Sequence, residues 1–305
     1  MKKVLYNSQV ELMLKLLSIV ADETRFALKG GTAINFFVRD LPRLSVDIDL
    51  TYLPIEDRVV TGDNIKKALL NISNKIQSRY PNTQIKQNVF GKEQFINKLV
   101  VTNNGAQVKI EPNYVLRGSS YKAKIETTTK KVKQHYNAEV KINLLSVADL
   151  YGGKLCAMLD RQHPRDIFDI KILMEHEGIT DEIRKAFVIY LASSNRPIVE
   201  LLNPIKQDIT KAFNENFYGM TFEPTTIDEL VSVNKKVIKQ INNDLTNNER
   251  NFLLSIKKGI PDFNLIDIEG VGLLPGIKRK LHNINNLPEV KHKEAIEKLR
   301  KVLNL

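Results

Sequence analysis

Residues 29–51 read KGGTAINFFVRDLPRLSVDIDLT and combine a glycine pair with two closely spaced aspartates. Asp47 and Asp49 alternate with apolar residues, a period of two that is typical of a β-strand with alternate side chains on one face. Two adjacent carboxylates repel each other unless a cation lies between them, and Mg²⁺ prefers such ligands together with phosphate oxygens. The pair Gly30-Gly31 would let backbone N–H groups approach a phosphate near the start of a helix. This stretch therefore predicts a site for a metal ion and a phosphate.

The composition indicates a globular and basic protein. Its 305 residues suffice for two domains with a sizeable core, and 42% of them are hydrophobic. The single cysteine, Cys156, allows no internal disulfide, and no apolar stretch is long enough to span a bilayer. We therefore expect a cytoplasmic monomer with no membrane partner. The net charge of +11 favours a polyanionic partner, although an ordinary lysine-rich protein would carry the same charge.

Hydrophobic periodicity predicts mixed helices and strands up to about residue 144. Helices are expected at 8–21, 32–38 and 62–79, and strands at 26–28, 46–52, 84–90, 95–102 and 106–111. On the last strand Glu111 lies on the face opposite Val108 and Ile110, which makes it a candidate third carboxylate beside Asp47 and Asp49. The alternative is a solvated residue at the edge of a sheet.

Residues 117–141 form a basic stretch with only two glutamates. Its positively charged residues are Arg117, Lys122, Lys124, Lys130, Lys131, Lys133 and Lys141. Such a stretch could carry a nucleic-acid backbone next to a phosphate-handling site. A solvated, lysine-rich surface strand is the alternative.

From residue 145 onward the pattern is helical. A helix is expected from about Ser146 to Arg161, and Pro164 suits the first turn of the next one. Further helices are predicted at 180–194, 196–214, 226–245, 247–258 and 286–303. Sixteen consecutive positions contain six charged residues, namely Lys154, Asp160, Arg161, Arg165, Asp166 and Asp169. This density favours a site over individually solvated side chains.

Three motifs follow one another along nearly the whole chain. The first reads KGGT at 29–32 and RLSVDIDL at 43–50, and the second reads DLYGGKLCAMLDRQHPRDIFD at 149–169. The third reads LTNNERNFL at 245–253, KGIPD at 258–262 and LPGIKRKL at 274–281. Together they resemble the AbiEii/AbiGii toxin family, which includes the MenT toxins, in the polymerase β-type nucleotidyltransferase superfamily. A glycine pair with two aspartates alone would be weak evidence, but three motifs in the family order are specific.

The resemblance implies a bilobed α/β + α protein. An α/β nucleotidyltransferase domain with a mixed sheet would occupy residues 1–144, and a mostly helical domain at 145–305 would contribute to the cleft. It implies Mg²⁺- or Mn²⁺-dependent transfer of a nucleoside monophosphate from an NTP to RNA, at the tRNA 3′ end. It also implies the toxin of a type IV-like toxin–antitoxin or abortive-infection system used in phage defence, with an antitoxin encoded upstream. Transfer to a protein or small-molecule hydroxyl, and a non-catalytic nucleotide- or RNA-binding module, are the alternatives.

The resemblance also implies roles for individual residues. Asp47 and Asp49 would bind the metal, and Glu111 is a further candidate that the family marks less sharply. Lys154 would steady phosphate charge, and Asp166 or Asp169 would act as a base or hold a neighbouring cation. The expected nucleotide-binding residues are Gly30, Gly31, Thr32 (through its N–H and hydroxyl), Arg43, Ser45, Arg161 and Arg165. For both arginines of the second motif, ion pairing is the alternative to phosphate contact, and Arg43 and Ser45 could instead orient their loop.

Overall fold

A computed structural model of the chain describes residues 2–305, with side chains from residue 6 onward. The chain divides into two units. The first extends to Ser146 and also contains Tyr218–Pro224, and the second comprises Val147–Phe217 and Thr225–Leu305. The domain limits expected from the sequence assigned 218–224 to the helical part. In the structure this segment lies in the first unit, where the backbone N–H of Leu44 donates to the carbonyl of Met220 at 2.8 Å.

The first unit is built on a seven-stranded mixed sheet in the order β3-β4-β5-β2-β1-β7-β6. The strands are β1 Phe26–Lys29, β2 Asp47–Tyr52, β3 Gln84–Phe90, β4 Phe95–Asn103, β5 Ala106–Asn113, β6 Lys124–Thr127 and β7 Lys141–Leu144. The pairs β1/β7 and β2/β5 are parallel, and the other neighbours are antiparallel. The metal-candidate strand β2 therefore lies inside the sheet, between β1 and β5.

Four helices accompany this sheet. They are α1 Lys2–Val20, α2 Gly30–Ala33, α3 Arg58–Arg79 and α4 Lys130–Tyr136, and α2 continues into a turn of π-helix at Ile34–Val38. The apolar face predicted for α3 is buried at Ile65, Ala68, Leu69, Ile72 and Ile76. This helix packs on β4 and on α1, so the periodicity of its sequence matches its packing. The combination of a mixed sheet with helices confirms the α/β prediction for this part.

The second unit is helical in all of its regular structure, apart from short 3₁₀ turns. Its helices are α5 Val147–Arg161, α6 Pro164–Glu175, α7 Asp181–Ser193, α8 Ile198–Leu202, α9 Thr210–Asn216, α10 Ile227–Asp244, α11 Asn247–Lys258, α12 Pro275–Asn285 and α13 Glu289–Val302. At Gly152 a side-chain Cβ would lie 2.7 Å from the backbone N of Phe187, so α5 and α7 pack backbone to backbone. Thr226 and Thr246 begin α10 and α11 with capping boxes that satisfy the first N–H groups.

Several sequence-based assignments were wrong. The single helix predicted at 196–214 is two short helices, α8 and α9, separated by residues 203–209. Pro204 lies in this gap, and proline removes an N–H donor and disfavours helical backbone in the residue before it. The strands β6 and β7 and the helices α4 and α12 were not predicted. Within residues 2–305, no helix has both the length and the apolar character required to cross a membrane.

Candidate active site

The glycine pair lies where β1 ends and α2 begins. Gly30 has a positive φ of 73°, which suits glycine. A Cβ at Gly30 would be 2.5 Å from Asp49 Oδ2, and one at Gly31 would be 2.5 Å from Arg43 Nη2. Both glycines are therefore required for the turn to lie directly against the acidic strand and its preceding loop.

The two aspartates of β2 share one face, and both are half-buried. The parallel strand β5 places Lys109 beside Asp47 and Glu111 beside Asp49. Glu111 thus lies next to the pair, but its Oε1 is 2.6 Å from Lys98 Nζ. The described part of the chain contains no group of three His, Cys, Asp or Glu side chains arranged to hold a metal ion. The structure therefore brings Asp47 and Asp49 together and directs Glu111 to an ion pair.

The hydroxyls of Thr32 and Ser45 stabilise the start of β2 through hydrogen bonds. Thr32 is buried, and its Oγ1 lies 2.5 Å from the carbonyl oxygen of Asp47 and 3.0 Å from Ser45 Oγ. A hydroxyl has one proton, so Thr32 donates to the carbonyl and accepts from Ser45. The expected contact of the Thr32 hydroxyl with phosphate does not fit this bonding. Arg43 is also buried and donates to the Leu44 carbonyl at 2.8 Å, which favours an orienting role.

The second motif forms a buried ion network in the helical unit. Lys154 of α5 places its Nζ 3.1 Å from Asp166 Oδ1 and 2.9 Å from Asp169 Oδ2, both on α6. Arg161 adds two bonds to Asp166, from Nε at 2.5 Å and from Nη2 at 2.9 Å. Lys154 is 7% exposed and each aspartate 1%. Two cations and two carboxylates therefore neutralise one another, with Lys154 and both aspartates shielded from water and Arg161 exposed at the surface.

The environment of Asp166 keeps this carboxyl ionised. Burial acts to raise its pKa, but the charges and hydrogen bonds of Lys154 and Arg161 outweigh burial and hold the pKa well below its usual range. A general base works best when its pKa lies near the operating pH. Asp166 therefore fits an anchoring role better than proton transfer. Asp169 shares Lys154 with it on the same helix face.

The two arginines of the second motif differ in their placement. The Arg161 side chain is 62% exposed, and its guanidinium forms a fork-like contact with Asp166. This contact matches the ion-pairing alternative to phosphate binding. Arg165 is half-buried, and its backbone N–H donates to His163 Nδ1 at 3.2 Å, at the start of α6. The structure therefore places Arg161 in the ion network and Arg165 on the first turn of the following helix.

The charged residues of the third motif have structural contacts that spacing did not reveal. Glu249 closes the capping box of α11 and pairs with Arg184 at 3.0 Å. Arg250 donates to the Leu303 carbonyl at 2.8 Å and is buried. Lys280, also buried, donates to two backbone carbonyls just beyond α7, at 2.7 and 2.8 Å. These residues hold helices of the second unit together; the Thr-x-x-Glu spacing at 246–249 indicates the capping box, whereas motif membership was the sequence signal for Arg250 and Lys280.

Comparison with known proteins decides the family. The family model described as "Nucleotidyl transferase AbiEii toxin, Type IV TA system" matches residues 11–267. This chain belongs to that family. The resemblance derived from the three motifs is thereby confirmed, and so is the enzyme class, a nucleotidyltransferase that acts as the toxin of a type IV toxin–antitoxin system.

One solved structure shows the same fold. MenT4, a nucleotidyltransferase toxin from Mycobacterium tuberculosis, superposes with a TM-score of 0.60 over 97% of this chain and 92% of its own, at 14% identity. Terminal uridylyl transferase 4 from Trypanosoma brucei with bound GTP has 12% identity over 99% and 96% of the chains, and its TM-score of 0.31 is too low to support an argument. No curated relative matches the sequence significantly. The predicted fold class, α/β plus helical, is confirmed for this AbiEii family member.

Proposed function

We propose that this chain transfers a nucleoside monophosphate from an NTP to the 3′ end of an RNA, with tRNA as the acceptor. The observation that carries the proposal is the carboxylate pair Asp47 and Asp49, set directly against the glycine turn of β1 and α2 in a chain of the AbiEii family. Lys29 at the end of β1 lies opposite Asp49 in the antiparallel register. The turn and the acidic strand are therefore parts of one local structure.

The donor set of this local structure fits a hard divalent cation. Asp47 and Asp49 present two half-buried carboxylates on one strand face, and Mg²⁺ is commonly held by one or two carboxylates together with substrate phosphates. Mn²⁺ accepts the same oxygen ligands. When bound, the ion would supply neutralisation of the charge that develops on the leaving pyrophosphate. Glu111, engaged with Lys98, is assigned no ligand role in this proposal.

The protein's own groups hold the donor triphosphate. Backbone N–H groups of Gly30, Gly31 and Thr32 are proposed to bind phosphate oxygens, because N–H groups at the start of a helix have no carbonyl partner within that helix and both glycines are only half-buried. Thr32 and Ser45 fix the start of β2 through their hydroxyls, which keeps Asp47 in position. Arg43 supports the same turn, because its Nη2 fills the space where a side chain at Gly31 would lie. In this arrangement, the hydroxyls and the arginine position the groups that touch the nucleotide.

The second motif is proposed to be required for the same reaction. The family motif marks Lys154 and the aspartates of α6 as functional residues. We assign Lys154 the role of a point charge for phosphate, Asp169 the role of base and Asp166 that of an anchor. The low pKa of Asp166 supports its assignment as the anchor, and the assignment of Asp169 as base rests on the family motif. Their effect on activity has to be separated from their effect on folding, because the network is buried.

An RNA acceptor is supported by the charge of the first unit. Six lysines of the basic stretch have exposed or half-exposed side chains, namely Lys122, Lys124, Lys130, Lys131, Lys133 and Lys141. Arg117 is different, since it is buried, donates to Thr61 and the Glu56 carbonyl, and has its pKa lowered by burial. It therefore does not belong to the exposed basic surface. Lys133 is paired with Glu139 at 3.0 Å, and the other five lysines supply the sequence-independent attraction to a phosphate backbone that RNA binding requires.

A labelling experiment tests the proposal. The protein is incubated with each labelled NTP, Mg²⁺ and total RNA, alongside Asp49→Asn and the matched control Asp63→Asn, whose side chain is exposed on α3. We expect label in the RNA fraction, at the size of tRNA, with wild type and Asp63→Asn but not with Asp49→Asn. Label in the protein or small-molecule fraction would show that the acceptor is a protein or a small molecule and not RNA. Absence of label with every nucleotide, or equal labelling by Asp49→Asn, would refute the assignment.

The toxin role has its own test. We propose that the antitoxin is encoded upstream and that the pair limits phage infection. Expression of this chain alone is expected to arrest growth, and co-expression of the upstream gene to restore it. Growth arrest that persists in Asp49→Asn would show that arrest does not depend on nucleotide transfer.

A further inference from the structure

One segment of the first unit comes from the helical part of the sequence. It comprises Tyr218–Pro224, which follows α9 and precedes α10, and we call it the inserted segment. The Met220 side chain at its centre is buried, whereas Tyr218 and Phe222 on either side are exposed. The inserted segment therefore lies at the surface of the first unit and is fixed there by its middle.

The inserted segment pairs with the loop that leads into β2. The two backbones run antiparallel and form a short β-bridge. The Leu44 N–H donates to the Met220 carbonyl at 2.8 Å, and the Phe222 N–H donates to the Pro42 carbonyl at 3.3 Å. Because each backbone supplies one donor and one acceptor, the loop and the inserted segment fix each other in register.

The loop has a backbone conformation that its own sequence does not favour. Leu41 has a φ of 60°, in the left-handed region that a bulky L-residue rarely adopts. Pro42 follows it and has no N–H to donate. Such a conformation persists when the surrounding contacts determine it. The hydrogen bonds from the inserted segment, which begin at the Pro42 carbonyl, are contacts of this kind.

The residues on either side of Leu44 make the contacts that place the metal-candidate strand. Before it, the Arg43 guanidinium lies against the glycine turn. After it, Ser45 Oγ donates to Thr32 Oγ1, which donates to the Asp47 carbonyl at 2.5 Å. A shift of Leu44 therefore moves both the glycine turn and the start of β2.

We propose that the inserted segment is a positioning element for the metal and phosphate site. It touches neither ligand and acts through the loop, by fixing the residues that hold Asp47 and the glycine turn. Two neighbouring carboxylates repel each other, so without this support a cation has to draw them together at a cost in affinity. The positioning role rests on the proposed function, because it requires that Asp47 and Asp49 bind the cation.

A proline at Phe222 removes one of the two hydrogen bonds between the inserted segment and the loop. Proline has no N–H, and the extended backbone of the preceding Thr221 is compatible with it. Glu223→Pro is the matched control. Glu223 is exposed, and its N–H donates to no backbone carbonyl in the part of the chain that the structure describes.

Hydrogen exchange of the full chain, without metal or nucleotide, measures how firmly the loop is held. Peptides covering residues 43–52 are compared by mass spectrometry with peptides from β3 and β4. We expect Phe222→Pro to speed exchange at 43–52 about two- to tenfold, the range for one hydrogen bond, and to leave β3 and β4 unchanged. Glu223→Pro should exchange like the wild type.

Binding of Mn²⁺ to the folded protein separates positioning from stability. Electron paramagnetic resonance counts free Mn²⁺, and Asp49→Asn identifies the binding that belongs to this site. We expect Phe222→Pro to raise the Kd for Mn²⁺ about two- to tenfold and Glu223→Pro to leave it unchanged. A loss of global stability alone would lower the urea midpoint without changing the Kd of the folded protein.

A milder pair of variants, Thr221→Gly and Glu223→Gly, serves if Phe222→Pro does not fold. Glycine at Thr221 keeps both hydrogen bonds but loosens the extended backbone, so exchange and Kd should change in the same direction by a smaller factor. A Kd for Mn²⁺ that is unchanged in Phe222→Pro and in Thr221→Gly would overturn the positioning role, whatever the exchange rates. Absence of Mn²⁺ binding by the wild type would instead refute the proposed metal site, and the positioning role with it.

Discussion

Replacing Lys154 by methionine tests whether the second motif holds α5 to α6. Methionine retains an unbranched apolar chain but removes the ammonium group that lies 3.1 Å from Asp166 and 2.9 Å from Asp169. Both carboxylates are 1% exposed, so neither can exchange its lost partner for water. Removing one member of a buried ion pair typically costs about 3–5 kcal/mol. We expect Lys154→Met to lower the free energy of unfolding by about that amount near neutral pH.

The pH dependence of this loss follows from the pKa of Asp166. In the wild type, burial acts to raise this pKa, and Lys154 and Arg161 more than offset it, so the folded pKa is below the unfolded value of about 3.9. Such a group contributes stability that is present above the unfolded pKa and lost as the pH falls through the folded pKa. Without Lys154 the opposing effect of burial remains, so the pKa of Asp166 rises. The difference in stability between wild type and variant should therefore shrink as the pH falls from neutral towards the unfolded pKa.

The assay is urea unfolding followed by far-ultraviolet circular dichroism, because the chain contains no tryptophan. A matched control is Lys171→Met on α6, whose lysine pairs with the half-exposed Glu175 at 3.2 Å. Such a pair near the surface is worth at most about 1 kcal/mol. A loss below about 1 kcal/mol for Lys154→Met, or a loss that is the same at every pH, would refute a stabilising network. In that case, loss of nucleotide transfer would assign Lys154 to chemistry alone.

Three further substitutions have defined outcomes. Glu111→Gln should retain transfer activity in the labelling assay, because Glu111 is engaged with Lys98, while Asp49→Asn should lower that activity at least about 100-fold. Equal losses of activity in the two variants would make Glu111 a metal ligand. Gly152→Ala places a Cβ 2.7 Å from the Phe187 backbone, so thermal unfolding should show a loss of about 1–3 kcal/mol. Burial lowers the pKa of Lys280 to about 8 from 10.5, so this residue makes stability rise with pH between those values. Lys280→Met should lack that rise in urea unfolding, and an unchanged pH profile would contradict it.

The sequence predicted the elements that alternate clearly between apolar and polar residues. For example, β2 begins one residue later than expected, at Asp47; β3 also has the predicted bounds, although its sequence QIKQNVF does not alternate. The apolar face of α3 was also predicted correctly, because a surface helix must bury one stripe of side chains. For the carboxylate pair, a period of two sufficed to place Asp47 and Asp49 on one face.

Elements without such a pattern were missed for physical reasons. β6 reads KIET and is exposed at three of its four positions, including Ile125, so hydrophobic alternation does not predict its pairing with β7. The π-helical turn at Ile34–Val38 has four buried residues, one of them Asn35, and a buried run of that length does not reveal its hydrogen-bond pattern. The ion pair of Glu111 with Lys98 joins neighbouring strands, and its formation depends on the register of β4 and β5. Spacing along one strand predicts the face of a carboxylate but not its partner.

Burial separates two motifs that look equivalent in the sequence. The charged groups of a motif can take part in a reaction or can hold helices together, and both roles require the same residue types. Asp47 and Asp49 are half-buried beside a glycine turn that is itself half-buried, which suits groups that meet a substrate. Asp166 is buried, and the two neighbouring cations stabilise its charged form, so it does not take up a proton near neutral pH. The low pKa of Asp166 therefore favours a role in holding the lysine and arginine in place, while Asp169 is equally buried and lies 2.9 Å from Lys154 Nζ.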